Sequence, residues 1–127
     1  MQLLDFQKGV DDWMLHTFGG TIAGDKEERN WRFLEEAIEL VQAAGCSKEH
    51  AHELVDYTYG RPVGELAQEV GGVMVTLSAL CSAHQITLST ASQTEFRRIW
   101  KIADQIREKQ AGKPLNNSPL PGLGGDA

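Results

Sequence analysis

The sequence predicts an all-α fold of four to five helices in one domain, and three observations carry that expectation. Glycine and proline divide the chain into five segments with helical spacing of apolar residues. No run alternates apolar and polar residues for long enough to form a strand. Its 127 residues, 41% of them hydrophobic, are the size of a single domain and suffice for one core.

The first helix is expected from about Leu3 to His16, ending at Gly19-Gly20, with Leu4, Val10, Trp13, Met14 and Phe18 available for packing. A flexible link leads to Asp25. Asp25-Lys-Glu-Glu28 has the spacing of a capping box, so a second helix starts there and runs through Trp31, Leu34, Ile38 and Val41 to a stop at Gly45. Ser47 caps a short third helix that ends near Tyr59-Gly60. Arg61-Pro62 restarts the chain, because proline suits a first helical turn. The fourth helix, about Pro62 to His84, is apolar on nearly every side beyond Glu69, which predicts a core helix surrounded by others. Ser89 or Thr90 opens a fifth, reaching Ala111, with Phe96, Ile99, Trp100, Ala103 and Ile106 on its apolar side. Residues 1–112 thus form the helical domain, and 113–127, rich in proline, glycine and asparagine, read as a flexible tail.

Charge and cysteine content narrow the function. A net charge of −6, with basic residues scattered along the chain, gives no footprint for a nucleic acid polymer, although a single nucleotide carried with metal remains compatible. Cys46 and Cys81 lack metal-ligand or paired spacing, which fits a reducing cytoplasm. The N-terminus has no basic segment followed by an apolar one, and the longest charge-free run, Val70 to Thr94, is broken by polar residues and Gly71-Gly72. A buried helix and turn is expected there, with no membrane partner.

The chemistry concentrates in Leu34-Glu35-Glu36-Ala37-Ile38-Glu39-Leu40. Glu36 and Glu39 are i,i+3 neighbours and Glu35 and Glu39 are i,i+4 neighbours, so three carboxylates share one arc of a helix. Like charges at this spacing cost a bare helix a few tenths of a kcal/mol (about 0.2–0.5) per pair unless a cation gathers them. Hard ions such as Mg²⁺ or Mn²⁺ prefer such oxygen ligands and leave positions open for phosphate oxygens. Periodicity alone favours a solvated face, since the apolar arc of Leu34, Ile38 and Val41 lies opposite and Arg32 is next to the glutamates. Glu69 favours metal, because a carboxylate entering an apolar helix is expected to be partly buried and must then be protonated, paired or metal-bound. Glu65, one turn earlier, is a supporting ligand or a surface residue. His50 and His52 sit on different faces of the third helix and read as surface histidines.

Glu35-Glu36-x-x-Glu39, followed by Glu69-Val-Gly-Gly72-Val-Met-Val, resembles the EExxE…ExxD signature of the MazG-like all-α NTP pyrophosphatases. The blocks Glu28-Arg-Asn-Trp-Arg-Phe-Leu-Glu-Glu36, Val55-Asp-Tyr, Gly60-Arg-Pro-Val-Gly64, Gln68-Glu-Val-Gly-Gly-Val-Met-Val-Thr-Leu77 and Arg98-Ile-Trp-Lys101 are similar to the phage dATP/dGTP diphosphohydrolase branch, which includes MazZ-like enzymes acting on dGTP and GTP. The likeness covers roughly Trp13 to Pro114. It departs from the wider signature at Gly72, where an aspartate is expected. Asp56 or Glu65 is a candidate replacement, and Glu53-x-x-Asp56 offers a second ExxD spacing, although Glu69 is preferred because Glu53 lies on a polar connector.

The resemblance implies a MazG-like bundle in which Glu36, Glu39 and Glu69, with Asp56 as a further candidate, hold Mg²⁺ or Mn²⁺ while Glu35 orients or deprotonates the attacking water. A purine nucleoside triphosphate would be cut to a monophosphate and pyrophosphate, as part of phage nucleotide metabolism in the host cytoplasm. Arg98, Lys101 and Lys109 on the last helix, or Arg61 at the turn, are candidates for the β and γ phosphates. Trp31 is a candidate for base stacking and Asn30 for a purine edge, although each of these residues also fits an ordinary core or surface role. MazG-like proteins form dimers or dimers of dimers, and short helices with acidic faces hardly close around a nucleotide alone, so a homo-oligomer is expected. The competing expectation is a non-enzymatic helical adaptor or regulator that meets a partner through its acidic face.

Overall fold

The computed structural model describes residues 1–103 and 105, which are all-helical, with six α-helices and no strand among them. These are α1 (Leu3–Phe18), α2 (Gly20–Ala23), α3 (Lys26–Ala43), α4 (Lys48–Tyr59), α5 (Leu66–Ala83) and α6 (Leu88–Lys101). The expected C-terminal part of the last helix, including Ile106, and the tail lie outside the described residues. The chain divides into two compact units, one of Met1–Leu34 with the described residues from Ser89 on, the other of Glu35–Leu88, with the boundary inside α3.

In the first unit, α1 ends at Gly19, whose φ of 87° is open to glycine and costly for other residues. The segment expected to be a flexible link contains the short helix α2, with Ile22 and Ala23 half-buried. Four residues are too few to show a helical period, which is why the pattern misses it. Asp25 caps α3 as its spacing predicts: its Oδ1 accepts the Glu28 backbone N–H at 3.0 Å.

An aromatic seam joins α1 to α6. Phe6 meets Phe96 at 5.8 Å between ring centroids, Phe96 meets Trp100 edge-on at 6.4 Å, and the Trp13 indole donates to the Ile99 carbonyl at 3.2 Å. Gly9 lets the two helices approach, since a Cβ there would lie 2.7 Å from Cζ of Phe96. Gly9→Val should therefore destabilise the protein by about 1–3 kcal/mol through overpacking, seen as a lower melting temperature. An unchanged melt would mean that Phe96 swings aside at no cost.

In the second unit, α3 closes with two overlapping bonds, Cys46 N–H to the Val41 carbonyl at 2.9 Å and Gly45 N–H to the Gln42 carbonyl at 3.0 Å, with Gly45 at φ 93°. Ser47 then caps α4 by accepting the His50 N–H at 3.1 Å. Both are legible in the sequence.

The start of α5 is not where proline suggests. Pro62 lies in the loop, and the helix begins at Leu66, after Glu65 accepts the N–H groups of Ala67 at 3.2 Å and Gln68 at 2.7 Å. A carboxylate that satisfies two orphan donors outweighs a favourable proline position. At the other end, Gln85 takes φ 57° and Ile86 N–H reaches the Cys81 carbonyl at 2.8 Å, a glycine-type stop made without glycine.

The expectation that this apolar helix forms the core is corrected. No residue of α5 is buried, nor is any residue from 35 to 88, and Val70 and Val75 remain 58% and 69% exposed. All-round hydrophobicity says that a helix needs cover; it does not say which surface supplies it. By length and composition α5 is also long and apolar enough to cross a membrane.

Candidate functional site

On α3, Glu36 and Glu39 are exposed and Glu35 is half-buried, while Leu34 and Ile38 on the apolar arc are about half covered, at 52% and 51% exposure. On α4, Glu53 and Asp56 are exposed and form a second i,i+3 acidic pair. The capped turn of residues 44–47 connects the two helices. Glu39 lies four residues before the end of α3 and Glu53 five residues after the start of α4. At about 1.5 Å rise per residue, both sit roughly 6–8 Å along their helices from that turn, with Glu36 and Asp56 one step further out. Glu53, weighed with Asp56 as a second ExxD spacing and set behind Glu69, is exposed on α4. It also lines an open groove along α4 with Cys46, His50, Leu54 and Tyr57.

Glu69 is exposed, so the burial argument for it as a metal ligand is overturned. Its carboxylate folds back over the first turn of α5, with Oε2 where a Cβ on Gly64 would stand and Oε1 3.8 Å from the corresponding point on Gly72. Glu65, weighed as a supporting ligand, is engaged in capping α5. Among the described residues no three His, Cys, Asp or Glu side chains are gathered into a metal-binding group. Glu36, Glu39, Glu53, Asp56 and Glu69 are exposed residues, and carboxylate oxygens are the donor type that a hard divalent ion takes.

The candidate cations differ in their freedom. The Arg61 guanidinium lies 5.0 Å from the centre of the Tyr57 ring, which holds it at the end of α4. Arg98 makes a two-pronged pair with Glu95 at 2.8 and 2.5 Å, and this hydrogen bond holds the Glu95 carboxyl below its usual range. Lys101 is exposed in the last turn of α6, and Lys109 lies outside the described residues. Asn30 is exposed and Trp31 half-buried. Glu35, Glu36, Glu39, Asp56, Arg61 and Glu69 share the second unit, whereas Asn30, Trp31, Arg98 and Lys101 belong to the first.

One ionic cluster escaped the sequence reading. Glu28, read as a capping-box member, is only 1% exposed, and its Oε1 accepts from Arg32 Nε at 2.6 Å with the Arg29 guanidinium 3.7 Å away. Arg29 also donates to Met14 Sδ at 3.5 Å, tying α3 to α1. Burial lowers the Arg29 pKa, opposed by the neighbouring Glu28 charge. The i,i+4 spacing of Glu28 and Arg32 was the available signal, but spacing does not reveal that the pair is inside.

Comparison with models of known protein families, with curated proteins and with solved structures finds no match to this chain.

Proposed function

We propose that the protein is a metal-dependent nucleoside triphosphate diphosphohydrolase of the MazG-like type. What supports this reading is the resemblance of Glu35-Glu36-x-x-Glu39 on α3 to the family's first motif, together with a second acidic motif, Glu53-x-x-Asp56, on the next helix, each a similar number of residues from the turn that connects them. In this reading Glu53-x-x-Asp56 supplies the ExxD half of the signature, so no acid is needed at Gly72. Glu36, Glu39 and Asp56, with Glu53 one turn before it, would hold Mg²⁺ or Mn²⁺, with Glu69 of α5 as a further candidate ligand. The metal supplies a water of lowered pKa and neutralises charge on the phosphoryl oxygens.

Glu35, half-buried and adjacent to Glu36 on α3, would orient the attacking water and take its proton. A P–O bond forms at the α-phosphorus and the α–β bridging bond breaks, leaving a nucleoside monophosphate and pyrophosphate. Arg61 steadies the leaving phosphates from its seat on Tyr57, and Arg98, Lys101 and Lys109 are further candidates. Resemblance favours purine substrates, dGTP and GTP or dATP, with Trp31 and Asn30 as candidate base contacts. The deciding experiment is incubation with Mg²⁺ or Mn²⁺ and a panel of dNTPs and NTPs. Pyrophosphate and monophosphate are the expected products, and release of single phosphates, or of nothing, removes the proposal.

The working form is a homo-oligomer in the host cytoplasm. Leu66, Val70 and Val75 of α5 are exposed, and a second copy is the cover that an all-round apolar helix requires. Sedimentation equilibrium should find a dimer or tetramer, and Val75→Asp should shift it to smaller species. A wild-type monomer at micromolar concentration contradicts this.

A further inference from the structure

The open groove along α4 offers more than carboxylates. Its volume is about 470 Å³, within the range of small-molecule sites, and Cys46, His50, Glu53, Leu54 and Tyr57 line it. From His50 on, these residues recur at helical spacing, so they share one face of α4. Tyr57 is 62% exposed, one turn beyond Glu53 and next in sequence to Asp56. The Arg61 guanidinium rests 5.0 Å from the centre of the Tyr57 ring without lining the groove, so the ring meets the groove where the guanidinium does not cover it. An accessible aromatic ring and a cation are thus joined at the same end of α4.

We propose that Tyr57 is the platform on which the base of a nucleotide stacks, with Leu54 as further apolar lining and His50 as a hydrogen-bonding group for the base edge. This rests on the reading of Arg61 and the acids of α3 and α4 as a triphosphate site. A ligand that is flat and aromatic at one end and anionic at the other fits a ring with a guanidinium beside it. Stacking tolerates any base, because every base has a π-face, so Tyr57 supplies affinity and leaves the choice of purine to hydrogen bonds. Trp31, weighed for the same role, is half-buried in the other unit, whereas Tyr57 is exposed on the helix that carries Glu53-x-x-Asp56.

The test measures binding to the full chain, by equilibrium dialysis with Mg²⁺, of two probes: the α,β-imido analogue of dGTP, which cannot be cut at the α–β bridge, and tripolyphosphate, which has the phosphates without the base. Tyr57→Ala should weaken the nucleotide analogue by about five- to a hundredfold, the scale of base–aromatic stacking, and leave tripolyphosphate unchanged. Tyr57→Phe, which keeps the ring, should bind both as the wild type does. Helical circular dichroism should be the same in all three proteins, because Tyr57 is exposed. The analogue should also slow alkylation of Cys46 by iodoacetamide, read by peptide mass spectrometry, since Cys46 lines the same groove; tripolyphosphate should not.

Wild-type affinity for the analogue in Tyr57→Ala, or Cys46 alkylated at the same rate with the analogue bound, overturns the platform and leaves the hydrolase reading standing. Equal weakening of both probes in Tyr57→Ala also overturns it, since Tyr57 then acts only by holding Arg61. An analogue bound through Tyr57 by a protein that releases no pyrophosphate keeps the platform and removes the hydrolase. No binding of the analogue to the wild type overturns both.

Discussion

Glu36→Gln and Glu39→Gln should each reduce metal-dependent pyrophosphate release by at least about a hundredfold while leaving the helical circular dichroism unchanged. The magnitude follows from what the substitution removes. A glutamine keeps the shape and one oxygen but loses the charge that a hard cation needs, and even residues that only orient metal ligands cost about 10–100-fold when changed. Folding should be untouched, because Glu36 and Glu39 are exposed and the i,i+3 repulsion between them is relieved. Glu35→Gln should lower the rate by about 10²–10⁴ with Mn²⁺ affinity kept, the pattern of a lost general base. Activity retained in both Glu36 and Glu39 variants sinks the mechanism. If, in addition, Mn²⁺ fails to raise the melting temperature, the helical adaptor becomes the better account, since any ligand of the native state must stabilise it.

Glu28→Ala should have the largest effect on stability, a loss of about 3 kcal/mol that lowers the melting temperature by roughly 10 °C or more. Glu28 is 1% exposed and bonded to Arg32, whose side chain is 14% exposed, so removing the carboxylate leaves guanidinium charge in a largely dry place. Arg29, 34% exposed, can turn to water, which sets the estimate at the low end for a broken buried pair. Urea denaturation checks it, and a change below about 1 kcal/mol would show that the cluster is solvated in solution. A double variant, Glu28→Met with Arg32→Leu, should recover part of the loss, because apolar groups of similar volume carry no desolvation cost.

Much of the helical outline was legible in the sequence because local interactions decide it. Asp25 and Ser47 cap from their own next residues, and Gly19 and Gly45 stop helices by their own dihedral freedom. What failed did so where a local rule had a rival. Pro62 was a permissible start, but Glu65 satisfied two donors; Gln85 made a turn for which glycine was the expected signal. The candidate site was legible in its residue types and only partly in its membership. Glu69 was expected to be partly buried because its helix is apolar, and it is exposed; Glu53 and Asp56 are exposed on α4 at the spacing that the sequence shows.

The sequence by itself determined the all-α character, most helix ends and the acidic clusters, since each depends on residues within a turn or two of one another. Tertiary structure alone decided which side chains are inside. It buried Glu28 with two arginines, left α5 uncovered within the chain, and laid the Glu69 carboxylate against Gly64. Burial is a property of the surfaces brought together, and no periodicity along one helix states what will meet it.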